Sequence, residues 1–217
     1  MRIGIHGRDF QEKKSSRFLE RLLDRLDHYG AELHVSSKFL KHFKSDKFKS
    51  RVFDHGHNLK NLDLFISLGG DGTLLESVTY VGKNETPILG VNTGRLGFLA
   101  TTGREETEEA LDYLLAGNYT IEERSMLKLV SDPKLFGGLN FGLNDFTIMK
   151  KDTSSMITVH VYVDGELLNS YWADGVIVST PTGSTGYSLS CGGPLLFPES
   201  ESFIVTPVSP HNLTVRP

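Results

Sequence analysis

In the N-terminal half of the chain, short apolar segments alternate with segments in which apolar residues recur at helical spacing. Short apolar runs are typical of buried parallel strands, and apolar residues repeated every three or four positions are typical of helices. Phe18, Leu22 and Leu26 form one such repeat, which predicts a helix over 12–29 that Gly30 ends. Strands that alternate with helices predict a parallel, doubly wound sheet. The predicted strands are 2–6, 31–35, 62–68 and 87–91, and the further predicted helices are 74–81 and 105–115.

The pattern changes after Asn118. β-Branched and aromatic residues dominate, and turn signals such as Asp132-Pro133 separate them, which is typical of an antiparallel β region. The segment 163–166, Val-Asp-Gly-Glu, predicts a tight hairpin. We predict a fold of class α/β plus all-β: a doubly wound, Rossmann-like domain over 1–117, then an antiparallel β-rich domain over 118–217. The strands predicted for the second domain are 119–130, 141–149, 157–163, 176–180 and 202–206.

The last residues follow a predicted strand without a closing helix or a polar tail, and the chain stops at Arg216-Pro217. An antiparallel sheet that ended there would expose an unpaired edge. We therefore expect the β-rich domain to be incomplete at its C-terminus and the chain to be a piece of a longer protein.

Composition excludes several classes of protein. The net charge of −4 over 217 residues gives no strongly basic surface for nucleic acid. The single cysteine, Cys191, excludes an internal disulfide framework and fits a reducing compartment. No apolar stretch approaches membrane-spanning length, and the first residues alternate like a strand rather than a signal peptide. We expect a soluble, cytoplasmic protein that binds neither nucleic acid nor a membrane.

The most informative motif follows the third predicted strand directly. It reads Gly69, Gly70, Asp71, Gly72 and Thr73, and a predicted helix comes next. Glycines around one acid let the backbone approach a bulky anionic ligand, and the helix N-terminus favours phosphate. The motif therefore predicts phosphoryl transfer with Asp71 as the acid–base group. The alternative is a glycine-rich turn capped by an aspartate.

A second glycine-rich segment covers residues 173–193. Asp174 opens a strand that Thr180-Pro181 ends, and small hydroxyl residues and glycines then lead into a short predicted helix. Backbone amides and hydroxyls at such a turn are suited to bind the sugar and phosphates of a nucleotide. The alternative is a Ser/Thr-rich hairpin loop.

Two further segments carry polar candidates. Asn144 and Asp145 lie inside a predicted strand, where both residue types are disfavoured. Asn144 can pair with an adenine edge and Asp145 can accept from two ribose hydroxyls, although an edge bulge with solvated side chains would look the same. The glycines of 90–98 suggest a loop beside the same crevice, in which Arg95 either meets phosphate or lies in solvent.

Together these segments resemble the ATP-dependent NAD kinase family. The family's Gly-Gly-Asp-Gly-Thr signature is 69–73, its Asn-Glu pair is Asn144-Asp145, its glycine- and threonine-rich block is 174–193, and its later Thr-Pro to Arg-Pro pattern is 206–217. The first signature is shared with diacylglycerol and sphingosine kinases and, loosely, with phosphofructokinases, but a lipid or sugar kinase does not account for the late block. This chain departs from the family in three residues, which are Asp145 for glutamate, Gly186 for alanine and Ala173 for glycine.

The resemblance implies transfer of the γ-phosphoryl group of ATP to the 2′-hydroxyl of the adenosine ribose of NAD, which yields NADP and ADP. It implies that Asp71 takes the proton of that hydroxyl, that Mg²⁺ or another divalent cation assists, and that the protein is a homodimer or homotetramer. A non-catalytic sensor that kept the dinucleotide pocket is the alternative, and the presence of Asp71 disfavours it.

The resemblance also implies a set of binding residues and no metal ligand from the protein. The residues implied to bind NAD are Asp71, Gly72, Asn144, Asp145, Asp174, Thr182, Thr185, Gly186, Tyr187 and Ser190. The residues implied to meet the ATP phosphates are Gly69, Gly70 and Thr73.

Overall fold

The computed structural model describes residues 1–8, 13–42, 51–55, 59–152 and 154–212. The chain divides into two compact units, Met1–Ile121 and Glu122–Pro217. Residues 213–217, the end of the late Thr-Pro to Arg-Pro pattern, lie outside the described residues.

The first unit is an α/β unit in which strands and helices alternate along the chain. Its strands are β1 (Arg2–Gly7), β2 (Glu32–Ser36), β3 (Val52–Phe53), β4 (Leu64–Gly69) and β5 (Ile88–Asn92), and its helices are α1 (Lys13–His28), α2 (Ser37–His42), α3 (Asp71–Val81) and α4 (Thr107–Leu115).

The five strands form one parallel sheet in the order β3-β2-β1-β4-β5. Ile3 of β1 pairs with Leu33 of β2 on one side and with Leu64 of β4 on the other. The strand order therefore reverses between β1 and β4, which is the topological switch point of a doubly wound sheet. The predicted doubly wound fold is confirmed, and the short edge strand β3 is an addition that the hydrophobic pattern did not predict.

Both faces of this sheet are covered, because successive side chains of β4 enter different hydrophobic clusters. Leu64, Ile66 and Leu68 pack in the larger cluster with residues of α1 and α4. Phe65 points to the other face and packs with Tyr80 of α3. Helix α3, which begins at Asp71, is thus held against the sheet by its own apolar side.

The second unit is built from small antiparallel sheets, as the sequence predicts. Its strands are β6 (Leu127–Lys128), β7 (Phe141–Gly142), β8 (Asp145–Met149), β9 (Ile157–Val163), β10 (Glu166–Ala173), β11 (Gly175–Ser179) and β12 (Ile204–Val208), and its one α-helix among the described residues is α5 (Tyr187–Ser190). The sheets are β12-β11-β8, β10-β9 and β6-β7.

The hairpin between β9 and β10 has the predicted turn. Val163 pairs with Glu166, and the two residues between them, Asp164 and Gly165, have φ of 52° and 88°. Positive φ at both central positions is what a two-residue turn needs to match the twist of its strands. The hairpin prediction is confirmed.

Two strand predictions in this unit are corrected. The prediction of one strand over 119–130 is wrong, because only Leu127–Lys128 pairs, with Phe141–Gly142, and residues 118–126 have no regular structure. β-Branched and aromatic residues form a strand only where a partner strand is available. The predicted strand 141–149 is interrupted at 143–144, where the Asn144 carbonyl accepts a hydrogen bond from Thr180 instead of a ladder partner.

None of the described helices combines the length and the apolar character needed to cross a membrane.

Candidate active site

The Gly-Gly-Asp-Gly-Thr motif forms the junction between β4 and α3. Gly69 ends the strand, Gly70 has an extended backbone, and Asp71 is the first residue of the helix. A Cβ atom on Gly69 would lie 2.2 Å from Oγ1 of Thr73, so the tight turn requires glycine there. A Cβ atom on Gly70 or on Gly72 would meet no protein atom within 4 Å. These two glycines therefore face open space rather than packed protein.

The side chain of Asp71 is held by backbone amides from a loop 27 to 29 residues further along the chain. Oδ2 accepts a hydrogen bond from the N–H of Phe98 at 2.8 Å. Oδ1 accepts from the N–H groups of Leu99 at 2.9 Å and Ala100 at 3.1 Å. Three donors on one carboxylate fix both its position and its rotation.

Gly97 comes immediately before these donors and touches the same carboxylate. A Cβ atom on Gly97 would lie 2.2 Å from Oδ1 and 2.6 Å from Oδ2 of Asp71. Real Cβ atoms do not approach other atoms so closely, so a side chain at this position would displace the carboxylate.

The loop is shaped by Asn92, the last residue of β5, which is 4 % exposed. Its Nδ2 donates to the carbonyl of Arg95 at 2.6 Å and to that of Ala100 at 3.3 Å. Its Oδ1 accepts from the N–H of Gly94 at 2.8 Å. A single side chain therefore closes the loop over 93–100, and Arg95 itself contributes its backbone to this closure.

A charged cluster surrounds Glu76, one turn further along α3. Its carboxylate lies 2.5 Å from Lys38 Nζ and 3.2 Å from Nε2 of the buried His6, and it also pairs with Arg8. Burial alone would raise the pKa of Glu76, but these three groups outweigh burial and lower the pKa to about 2. We call this group the Glu76 cluster.

Burial favours the uncharged forms of two side chains at the Glu76 cluster, His6 and Tyr80. His6 donates or accepts through Nδ1 at 2.7 Å from Ser36 Oγ, and burial lowers the pKa of its imidazole. Burial, followed by the charge of Glu76, raises the pKa of the nearby Tyr80 phenol to about 12. Sequence reasoning missed this cluster, because its members come from separate elements and form no local motif.

In the second unit the structure brings Asn144 and Asp145 onto the turn at 182–186. The Asn144 carbonyl accepts from the N–H of Thr180 at 2.9 Å, and a Cβ atom on Gly183 would lie 2.1 Å from that carbonyl oxygen. The corresponding position on Gly186 lies 3.7 Å from Asn144 Nδ2 and 3.9 Å from Asp145 Oδ2. Three of the residues predicted to bind NAD are therefore neighbours.

The side chains of Asn144 and Asp145 are held in different ways at this turn. Oδ1 of Asn144 is buried and has no hydrogen-bond partner among the described residues. Oδ1 of Asp145 accepts from Thr147 Oγ1 at 3.1 Å, which orients the carboxylate while Oδ2 points toward Gly186. Buried acceptors without partners are rare in proteins, so Asn144 favours a donor from a bound molecule.

Several hydroxyls of the 174–193 segment are used inside the fold. Ser188 Oγ lies 2.8 Å from Thr206 Oγ1, and Ser184 Oγ accepts from the N–H of Leu196 at 3.1 Å. Thr182 is 6 % exposed and its Oγ1 accepts from Arg124 at 3.4 Å.

The remaining predicted residues of this segment are more open. Thr185 donates its hydroxyl to the Thr182 carbonyl at 3.3 Å and is half-buried. Tyr187 is 44 % exposed, and Ser190 is exposed at the end of α5. The open side of the turn is therefore lined by Thr185, Tyr187 and Ser190 rather than by Thr182.

Asp174 lies between β10 and β11 and is paired with a lysine. Its Oδ1 is 2.6 Å from Lys150 Nζ, and the two side chains are 31 % and 19 % exposed. Its backbone is also fixed, because its N–H donates to the Val208 carbonyl and its carbonyl accepts from Lys150. The carboxylate is therefore held in one place at the start of β11, the central strand of the three-stranded sheet.

Comparison with known proteins now adds to this geometry. Residues 11–119 match the ATP-NAD kinase N-terminal domain, and residues 143–217 match the ATP-NAD kinase C-terminal domain. The chain belongs to the ATP-NAD kinase family. The resemblance expected from the motifs, including that of an ATP-dependent NAD kinase, is confirmed at the level of the family.

Similar proteins of this family come from bacteria. The NAD kinase of Cytophaga hutchinsonii is 52 % identical over 221 residues, and the match covers 100 % of this chain and 75 % of that protein. The NAD kinase of Bacteroides fragilis is 45 % identical over 219 residues, again with 100 % and 75 % coverage.

Solved structures of the family have the same fold. Yeast NADH kinase, crystallised with NADH, has a TM-score of 0.82 and 25 % identity, and covers 99 % of this chain and 67 % of its own. The NAD kinase of Archaeoglobus fulgidus, crystallised with ATP, has a TM-score of 0.72 and 27 % identity, and covers 100 % of this chain and 75 % of its own. The predicted combination of an α/β unit and a β-rich unit is thereby confirmed.

Proposed function

We propose that this chain is an ATP-dependent NAD kinase in which Asp71 is the general base. The observation that carries the proposal is the junction between β4 and α3. It presents a firmly held carboxylate at the start of a helix, and the two flanking glycines, Gly70 and Gly72, face open space. Membership of the ATP-NAD kinase family supports the choice of substrates.

In the proposed reaction the 2′-oxygen of the adenosine ribose attacks the γ-phosphorus of ATP. A new O–P bond forms, the bond between the γ-phosphorus and the β–γ bridging oxygen breaks, and ADP leaves. The hydroxyl proton moves to Asp71. A ribose hydroxyl is a weak nucleophile at neutral pH, and a positioned carboxylate is worth about 10²–10⁴-fold in rate. The helix N-terminus and the amide of Gly70 are suited to bind phosphate oxygens, with Gly69 and Thr73 shaping the turn. Gly72 leaves room for NAD beside Asp71.

The second unit supplies the proposed NAD contacts. Asn144 offers its unpartnered Oδ1 to the exocyclic amine of adenine, and Asp145 accepts from ribose hydroxyls. Gly186 lets the ligand approach these two side chains, and the open ring of Tyr187 is available to stack on a base. Asp174 binds the part of the dinucleotide near the nicotinamide. We retain Thr185 and Ser190 as hydrogen-bonding residues, and we propose that the buried Thr182 acts through the shape of the turn.

A divalent cation, Mg²⁺ by preference, would supply charge neutralisation on the transferred phosphoryl group. Among the residues that the structure describes, no group of three or more His, Cys, Asp or Glu side chains is arranged to hold a metal ion. Mg²⁺ keeps several waters and is commonly bound by substrate phosphates with one or two carboxylates. We therefore propose that the triphosphate of ATP would bring the ion to the site.

The decisive experiment replaces Asp71 with asparagine in protein expressed from its native reading frame. With ATP, Mg²⁺ and NAD, formation of NADP is followed by a coupled NADP-specific dehydrogenase. We expect Asp71→Asn to lower kcat by about 10²–10⁴-fold. Asp24→Asn, on the exposed face of α1, is the matched control and should leave kcat unchanged.

Two results would contradict the proposal. NADP formation that is undiminished in Asp71→Asn would exclude the base role. Binding of NAD by the unmodified protein without any turnover would instead favour a non-catalytic dinucleotide-binding protein.

Two broader expectations stay proposals that the family resemblance and the composition support. We propose a homodimer or homotetramer, which light scattering of the purified protein would test. We propose a cytoplasmic location, which is in keeping with the single cysteine.

A further inference from the structure

We propose that Gly97 and Asn92 are positioning residues for the phosphoryl transfer. They hold the amides of 98–100 on the carboxylate of Asp71 and thereby aim one of its oxygens at the hydroxyl that it deprotonates. This inference rests on the proposed function, since it concerns how the proposed base is oriented. The name amide clamp is used below for the backbone N–H groups of Phe98, Leu99 and Ala100.

The amide clamp leaves the carboxylate with one open acceptor direction. A carboxylate has about four lone-pair directions, two on each oxygen. Oδ1 of Asp71 uses both of its own on Leu99 and Ala100, and Oδ2 uses one on Phe98. The remaining direction belongs to Oδ2. A ribose hydroxyl that approaches Asp71 therefore meets a single oriented acceptor, and Oδ2 is the oxygen that receives the proton.

Gly97 makes the amide clamp possible through its missing side chain. The position of its Cβ atom lies within 2.6 Å of three atoms of the Asp71 carboxyl group, and no other part of the protein is nearer. The backbone of Gly97 does not lie in the left-handed region, so alanine can adopt the same conformation. Substitution by alanine should therefore act first on the carboxylate of Asp71. The carboxylate is short, so it cannot bend away without leaving the clamp.

Asn92 supports the amide clamp from behind. It ties the start of the loop at Gly94, the middle at Arg95 and the end at Ala100 through three hydrogen bonds from one buried side chain. The carbonyl of Thr93, next to these, accepts from the guanidinium of Arg104, which anchors the loop a second time. The donors reach Asp71 in register because the loop has one closed shape.

The kinetic test compares Gly97→Ala with Gly94→Ala in the NADP-forming assay. Gly94 lies in the same loop, has no positive φ, and an added Cβ there meets nothing within 4 Å. We expect Gly97→Ala to lower kcat by about 10²-fold, the cost of a misplacement near 1 Å, with the KM for NAD unchanged within about threefold. Gly94→Ala should have the kinetics of the unmodified protein.

A double-substitution test separates positioning from general damage. In protein that already carries Asp71→Asn, the base is absent, so Gly97→Ala should cause little further loss of kcat. Equal losses in both backgrounds, or Gly97→Ala kinetics that match those of Gly94→Ala, would overturn the inference. The proposed function would survive that outcome as long as Asp71→Asn alone abolishes activity.

A stability cycle tests the same contact without any activity. Gly97→Ala should lower the Tm of the otherwise unmodified protein by several degrees, roughly 2–4 °C for each 1 kcal/mol lost. In Asp71→Ala protein the clashing carboxylate is gone, and Gly97→Ala should leave Tm unchanged or raise it slightly. A Tm loss of the same size in both backgrounds would refute the contact. Protein that forms no NADP at all would refute the proposed function. The Tm values of this cycle would still show whether Gly97 contacts the Asp71 carboxylate.

Asn92→Asp provides the second variant. It keeps the acceptor for Gly94 but removes both donors and places a negative charge against the carbonyls of Arg95 and Ala100. We expect kcat to fall with little change in the KM for NAD, and the loss to vanish in Asp71→Asn protein. An unaltered kcat in Asn92→Asp, in which the carbonyls of Arg95 and Ala100 lose their donor, would show that the loop does not position Asp71.

Discussion

Removal of the Glu76 charge should take away a large share of the stability of the α/β unit. The side chain of Glu76 is 10 % exposed and is shared between Lys38, Arg8 and His6. In Glu76→Gln these three groups lose their common anion, while the buried imidazole of His6 keeps its contacts with Ser36 and Tyr80. We expect a cost above that of an ordinary surface ion pair, because the Glu76 carboxylate and the His6 imidazole are buried, although Lys38 and Arg8 are about half exposed.

The size of the effect follows from the pKa of Glu76, which falls from 4.5 to about 2 in the folded protein. Each unit of pKa shift corresponds to about 1.4 kcal/mol, so the ionised carboxylate contributes on the order of 3 kcal/mol to the free energy of unfolding. Because the pKa is lower in the folded than in the unfolded state, this contribution is present in full above about pH 4.5. It is lost progressively as the pH falls toward 2.

The assay is urea unfolding of the unmodified protein and of Glu76→Gln at a series of pH values. The only tryptophan, Trp172, lies in the second unit, so hydrogen exchange of amides in β1 and α3 is the appropriate probe. Glu108→Gln is the control, because Glu108 is 42 % exposed and also forms ion pairs, with Arg21 and Arg25. It should change the free energy of unfolding by about 0.5 kcal/mol or less.

The free energies of unfolding of the unmodified protein and of Glu76→Gln should differ most at neutral pH and become equal as the pH approaches 2. A constant difference at all pH values would mean that packing rather than charge was lost. No difference at neutral pH would show that Lys38 and Arg8 do not stabilise the Glu76 carboxylate, and would refute the reasoning.

Two further predictions concern the ligand sites. Gly72→Ala should raise Tm slightly, because alanine favours a helix over glycine by about 0.5–1 kcal/mol. It should also raise the KM for NAD by about tenfold or more, because the added methyl group would occupy the open space beside Asp71. An unchanged KM for NAD would mean that NAD does not bind in that space. Lys150→Met should raise the KM for NAD several-fold with kcat nearly unchanged, because Asp174 loses its partner at 2.6 Å, whereas Lys151→Met on the exposed neighbour should have no effect. Equal effects of the two lysine substitutions on KM would point to net charge rather than to the orientation of Asp174.

Much of the architecture could be predicted because its signals are local. The 3.6-residue repeat of α1, the alternating pattern of β1 and the apolar run of β4 mark each element within its own residues. The Asp164-Gly165 turn is likewise specified by two residues that tolerate positive φ. The strand predicted over 119–130 failed for the opposite reason. Strand formation depends on a partner, and the residues that precede Leu127 have none in the described part of the unit.

The amino-acid sequence by itself determined which side chains are candidates for chemistry. Asp71 between glycines and the Asn144-Asp145 pair can be recognised from residue type and order alone. Only the tertiary structure decided how those groups are held. The donors that fix Asp71 are peptide N–H groups 27 to 29 residues away, and the Glu76 cluster joins β1, α2 and α3. Every residue except proline has the same backbone donor, so no letter of the sequence marks the three that bind a carboxylate. These three N–H groups reach Asp71 only because the folded loop that follows β5 brings them there.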